Sequence, residues 1–183
     1  MKPLRFQKGF SLVELMVAMA VGIIIVLGAS QLFLTSKNIY ERNAGLAERQ
    51  ERLRFLSDVL SRDIRMADSA GLIVNADKDV LAIEYSGSRK SDPYCAPGEE
   101  LTQAEYSLDA MTINVAYACN DEPLNAPQPL VNGVEALHFP KGGNGASFVD
   151  VLLRFPALEK ELEASREVQF RVANRAAIIT AIN

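Results

Sequence analysis

No charged residue occurs in the 22 positions from Leu15 to Ser36, and almost all of them are apolar. At about 1.5 Å of rise per residue such a helix is roughly 33 Å long, enough to cross a hydrocarbon layer of about 30 Å. Past Ser36 the pattern becomes amphipathic. Ile39, Leu46, Leu53, Leu56, Leu60, Ile64 and Ala67 recur at spacings of three, four and seven, which places them on one helix face. Glu41, Arg42, Glu48, Arg49, Arg52, Asp58 and Arg62 fall on the other face, and Glu48–Arg52 and Asp58–Arg62 have the favourable acid-first i,i+4 order. No proline lies between Pro3 and Pro93, so the pattern predicts one helix of about 60 residues. Gly22, Gly28 and Gly45 are its soft points, and Gly71 is its expected C-terminal cap.

After Gly71 the period changes from 3.6 to 2. Leu81–Tyr85, Met111–Tyr117, Val149–Phe155 and Val168–Val172 alternate apolar and polar positions, and Val134–Phe139 is a fifth candidate. Such runs predict half-buried strands of an antiparallel sheet, whose apolar face the helix stripe from Leu53 to Ala67 would cover. Polar connections separate them at Ser86–Glu100, Asn120–Gln128 and Lys141–Ala146, and the charged segment Leu158–Glu167 reads as a short helix. The expected class is α+β, a long N-terminal helix packed on an antiparallel β-sheet. The segments are a leader at 1–9, a membrane helix at 10–36, its amphipathic continuation at 37–71 and a β-rich domain at 72–183.

Charge gives this layout a direction. Lys2, Arg5 and Lys8 precede the apolar run, so that flank is expected in the cytoplasm, the helix in the inner membrane and the β-rich domain in the periplasm. An ordinary secretory signal fits less well: the Ala18-x-Ala20 pair lies inside the apolar run, where cutting would destroy the helix. The formal charge is −4, and −7 without the three leader cations, which argues against direct nucleic-acid binding. Arg49–Arg65 is basic but interleaved with Glu51, Asp58 and Asp63, the pattern of a solvated helix face.

Beyond a membrane, the two cysteines, Cys95 and Cys119, are expected to pair. The closed loop of about 25 residues would contribute roughly 3–4 kcal/mol. Zinc bound by both thiolates and His138 lacks a fourth ligand. The acid pairs Glu99-Glu100 and Asp121-Glu122 read as solvated loop charge, and Gly142-Gly143-Asn144-Gly145 as a tight turn rather than a phosphate loop. His138, the sole histidine, sits in a strand-like run. No catalytic constellation, metal site or cofactor is expected.

The most informative residues are Gly9-Phe10-Ser11-Leu12-Val13-Glu14-Leu15-Met16-Val17. A carboxylate at the head of a membrane helix costs about 2.5–3.5 kcal/mol on insertion scales and so asks for a functional reason. This segment closely resembles the class III processing signal of type IV pilin-like proteins. The resemblance implies that a prepilin peptidase cuts after Gly9 and methylates the new N-terminus at Phe10, and that Glu14 is the family's assembly acid. A cationic amine on Phe10 lies four residues from Glu14, so the amine of one subunit could meet the acid of another and set axial register.

Within that superfamily several segments resemble the PilW-like minor pilins: the start from Phe10 to Gly22, Gln31–Ser36, Leu60–Ala67, Leu130–Phe139 and the closing Phe170–Arg175. The resemblance implies a structural subunit of the complex that initiates pilus assembly, at the base or tip of the fibre. Its partners would be other minor pilins, the major pilin and the inner-membrane assembly platform. Twitching motility, adhesion and DNA uptake depend on such a fibre. The J-type minor pseudopilin of type II secretion shares the layout, whereas the K-type usually lacks the acid at Glu14. A membrane-tethered tip adhesin is a third possibility.

Overall fold

The computed structural model describes residues 10–86, 92–120, 122–157 and 166–182. Helix α1 spans Leu12–Met66 without interruption. The chain divides into two compact units, Met1–Leu46 and Ala47–Asn183. In the first unit α1 exposes large apolar side chains on every face from Leu12 to Leu34. An 18-residue window of α1 near the N-terminus has a mean hydropathy of 2.6 and none of it is buried. In water such a surface is unfavourable by the hydrophobic effect, so the helix is suited to lipid or to neighbouring apolar helices. Ser30 Oγ and Thr35 Oγ1 donate back to the carbonyls of Val26 and Gln31 at 2.8 and 2.9 Å, which satisfies both hydroxyls within the helix.

In the second unit the remainder of α1 packs on antiparallel sheets through Leu56, Val59, Leu60 and Ile64. The first sheet is a five-strand meander, β1 (Leu72–Val74), β2 (Leu81–Glu84), β3 (Leu101–Asp109), β4 (Thr112–Cys119) and β5 (Gln128–Asn132), paired in chain order. The second contains β6 (Ala136–His138), β7 (Phe148–Phe155) and β8 (Arg166–Ala173), again in chain order, and leads into α2 (Arg175–Ile182). Leu81, Ile83, Tyr106 and Ile113 of the first sheet and Val149, Val151, Leu153 and Phe155 of the second belong to the same buried cluster as the α1 stripe. The class is the expected α+β arrangement.

Several expectations change in detail. The strands form two sheets, not one. Helix α1 ends at Met66, and Gly71 is not its left-handed cap. A Cβ at Gly71 would lie 2.6 Å from the carbonyl oxygen of Glu84, so glycine is needed there for close approach to β2, whose Glu84 amide donates to the Gly71 carbonyl at 2.8 Å. Strands β1, β3 and β5 were not expected from alternation. In β3 the register shifts between Leu101 and Gln103, so the buried residues Leu101, Ala104 and Tyr106 are spaced three and then two. That bulge erases the period-2 signal. Most of the expected Leu158–Glu167 helix lies outside the described residues, and Glu167 itself is in β8.

Asp63 is the sharpest correction. Placed by its charge on the solvated face, it is fully buried between Leu60 and Ile64 on the packed face of α1. Seven positions after Leu56 and four after Val59, it falls within the apolar stripe.

The Gly142–Gly145 run is not a simple hairpin turn. Gly142, Gly143, Asn144 and Gly145 all have positive φ, and the loop returns to the first sheet. Asn144 Oδ1 accepts from the Val74 amide at 3.0 Å, and its Nδ2 donates to the Val74 carbonyl at 3.3 Å. One side-chain amide thus pairs with edge strand β1 as a neighbouring strand would. Asn174 ties the chain end in a similar way, donating from Nδ2 to the Asp68 carbonyl at 2.6 Å and accepting from Ala176 N at 2.9 Å as the cap of α2.

Candidate functional site

The site begins where α1 begins. Ser11 precedes the first helical residue, Leu12, and Glu14 is the third. Glu14 Oε2 accepts the Ser11 amide at 3.1 Å, and the Leu15 amide reaches the Ser11 carbonyl at 3.2 Å. Ser-Leu-Val-Glu therefore forms the glutamate half of a capping box, in which an acid at N3 satisfies an orphan amide at the helix start. A negative charge in this first turn is also favoured by the helix dipole. The S-x-x-E signature of this cap is present in the sequence as Ser11-Leu12-Val13-Glu14. Phe10 is 80% exposed and Glu14 is also exposed, so both present themselves to solvent, lipid or a partner. Gly9 lies outside the described residues.

Beyond this turn the first unit presents exposed apolar side chains as far as Leu34. An added Cβ at Gly22 or Gly28 would meet nothing within 4 Å. Neither glycine breaks α1, so both preserve a smooth surface at a modest cost in helix propensity.

In the second unit the polar residues at the helix–sheet junction gather around Asp63. Tyr106 on β3 donates its hydroxyl to Asp63 Oδ2, and Arg62 Nε lies 3.5 Å from Oδ1. Burial, followed by the nearby Asp63 charge, pushes the Tyr106 hydroxyl well above its ordinary pKa, and the same two causes raise Tyr94. Tyr94 stacks on Tyr117 with ring centroids 5.1 Å apart. It immediately precedes Cys95, which is disulfide-bonded to Cys119 with Cα atoms 5.8 Å apart. A buried acid, a tyrosine pair and a covalent link thus connect the base of α1 with β3, β4 and the loop before β3. Their chemistry is structural: they fix the helix on its sheet.

Glu99 offers an oxygen within 4.8 Å of both bonded sulfurs. Sulfurs joined to each other are not thiolates, so this group is not a zinc ligand set in this state. His138 is exposed on β6. The elements bring Cys95 to Cys119 but belong to a different unit from Phe10 and Glu14.

The family model described as the prokaryotic N-terminal methylation motif matches residues 4–30. No curated protein gives a match to the chain. The motif indicates a pilin- or pseudopilin-type protein, processed by a prepilin peptidase in a pilus-assembly context. With the long apolar helix, it also points to membrane anchoring.

Proposed function

We propose that this chain is a minor type IV pilin, a structural subunit of the complex that initiates pilus assembly. The observation that carries the proposal is an acid-bearing methylation motif at the head of an uninterrupted helix, apolar on all sides from Leu12 to Leu34, whose far end is built into a β domain. Such a subunit can be stored in a membrane by its helix and later packed with like helices in a fibre. In this reading the peptidase cuts after Gly9, leaving a methylated cationic amine on Phe10. The Glu14 carboxylate, held in the first helical turn, then receives the amine of a neighbouring subunit. That charge-assisted bond relieves the cost of an acid in an apolar layer. The β-rich domain lies in the periplasm and travels with the fibre. The later resemblances to PilW-like proteins favour the initiating subunit over the major pilin.

Deletion of the gene followed by counting surface pili is the test, with mass spectrometry of the mature chain to read its N-terminus. The proposal expects few or no pili, restoration by the wild-type gene, and a mature chain beginning at a methylated Phe10. Normal pili with secreted proteins trapped in the periplasm would instead assign the chain to a type II secretion pseudopilus. Normal pili that bind poorly would make it an adhesin.

A further inference from the structure

Two asparagines in the chain are followed by glycine, Asn132-Gly133 and Asn144-Gly145. In such a pair the glycine amide nitrogen can attack the asparagine side-chain carbonyl carbon, because no Cβ on the second residue hinders closure of a five-membered ring. The tertiary structure treats the two pairs in opposite ways.

At Asn132 the nucleophile is tied. The Gly133 amide donates to the Met111 carbonyl at 2.8 Å. The Arg52 guanidinium also closes in on Gly133, where an added Cβ would strike it. At Asn144 the nucleophile is free. Among the described residues the Gly145 amide donates to no acceptor. Asn144 and Gly145 are both exposed, and a Cβ built on Gly145 would meet nothing within 4 Å.

The electrophile at this second pair is held in place. Asn144 Oδ1 accepts the Val74 amide at 3.0 Å, and Nδ2 donates to the Val74 carbonyl at 3.3 Å. A backbone donor and a backbone acceptor together fix which end of the side-chain amide is oxygen. The Val74 N–H therefore points at the atom on which negative charge develops when Asn144 Cγ is attacked, as an oxyanion-hole donor does. The contact that covers edge strand β1 also polarises the carbonyl that would react.

We propose that Asn144 is a site of spontaneous deamidation, and that the reaction releases the edge of β1. The Gly145 amide nitrogen, deprotonated by hydroxide, forms a bond to Asn144 Cγ. The Cγ–Nδ2 bond breaks, and Nδ2 leaves as ammonia with a proton from water, which regenerates the hydroxide. Water then opens the cyclic imide at either of its carbonyls, giving α-linked aspartate or isoaspartate at position 144. Neither product has the Nδ2 donor, so a carboxylate oxygen is set against the Val74 carbonyl. Isoaspartate also lengthens the backbone of the loop. The three-residue strand β1 thereby loses its cover.

The test uses full-length processed protein held in detergent at mildly alkaline pH, sampled over time and read by peptide mass spectrometry. In the folded protein residue 144 should convert about tenfold faster than residue 132, the factor that one tied amide is worth. In urea, where neither pair is held, the two rates should converge. Hydrogen exchange at the Val74 amide should be faster in aged protein than in fresh. Equal rates at the two asparagines in the folded protein, or conversion of residue 144 only in urea, would overturn the site. Unchanged Val74 exchange in fully converted protein would overturn the release of β1.

Discussion

Glu14 and Asp63 are both helix carboxylates, placed in opposite environments. Glu14 is exposed and caps the first turn of α1, so its replacement removes one amide partner at a helix end and leaves the fold intact. Glu14→Ala should leave cleavage after Gly9 largely unchanged while reducing incorporation into fibres, as measured by immunoblotting of sheared pili against membranes. Wild-type incorporation would refute a role in assembly. Asp63 is fully buried and accepts the Tyr106 hydroxyl. Asp63→Ala leaves that hydroxyl without its carboxylate and should lower stability by about 1–3 kcal/mol in urea unfolding of the detergent-solubilised protein. The pair also predicts an alkaline limit. Because folding raises the Tyr106 pKa above its ordinary 10.0, the unfolded tyrosine ionises first. The contribution of this group is complete below about pH 10 and is lost as pH climbs from there towards the raised folded value. Tyr106→Phe should flatten that loss in a series of melts from about pH 8 to about pH 12. Asp150 has the opposite sign: hydrogen bonding from Arg171 lowers its pKa, so its contribution is present at neutral pH and fades in acid.

At the level of elements, two devices close the β domain, and both can be removed selectively. The Cys95–Cys119 bond joins the loop before β3 to the end of β4 across a sequence separation of 24. Replacing both cysteines by serine should cost about 3 kcal/mol by restoring freedom to the unfolded loop, read as a shift in the denaturant midpoint. Asn144 closes the edge of β1. Asn144→Ala deletes both bonds to Val74 and should cost about 1 kcal/mol or somewhat more. Faster hydrogen exchange at the Val74 amide is the readout; exchange unchanged from wild type would show that the loop backbone alone covers the edge. The Gly-Gly-Asn-Gly composition of this loop announced a turn, but its use as a surrogate strand depends on residues seventy positions earlier.

For the whole molecule, the division of labour follows from two kinds of surface. The first unit exposes apolar side chains around the full circumference of α1, while the second buries one stripe and keeps the other face polar. A fibre subunit needs both: a helix that exchanges lipid for neighbouring helices, and a domain that remains folded during the exchange. A soluble partner could not cover the first surface without an apolar groove of its own. The gene-deletion experiment addresses this scale, because loss of pili reports on the assembled machine rather than on any one contact.

The chain alone was sufficient for the course of the long helix and for the strands whose alternation is unbroken. The uncharged run, the 3.6-residue stripe and the Ser11–Glu14 spacing specify a long helix with an acid at its head, because helix geometry relates neighbours three and four apart without outside help. The alternations at β2, β4, β7 and β8 were legible for the same reason. Tertiary structure decided what long-range pairing controls. It separated the strands into two sheets, and it brought β3 into register despite the bulge that hides its pattern. It buried Asp63 against a hydroxyl 43 residues away. Charge predicts solvent exposure only until a distant donor makes burial affordable, and no local pattern encodes where that donor will stand.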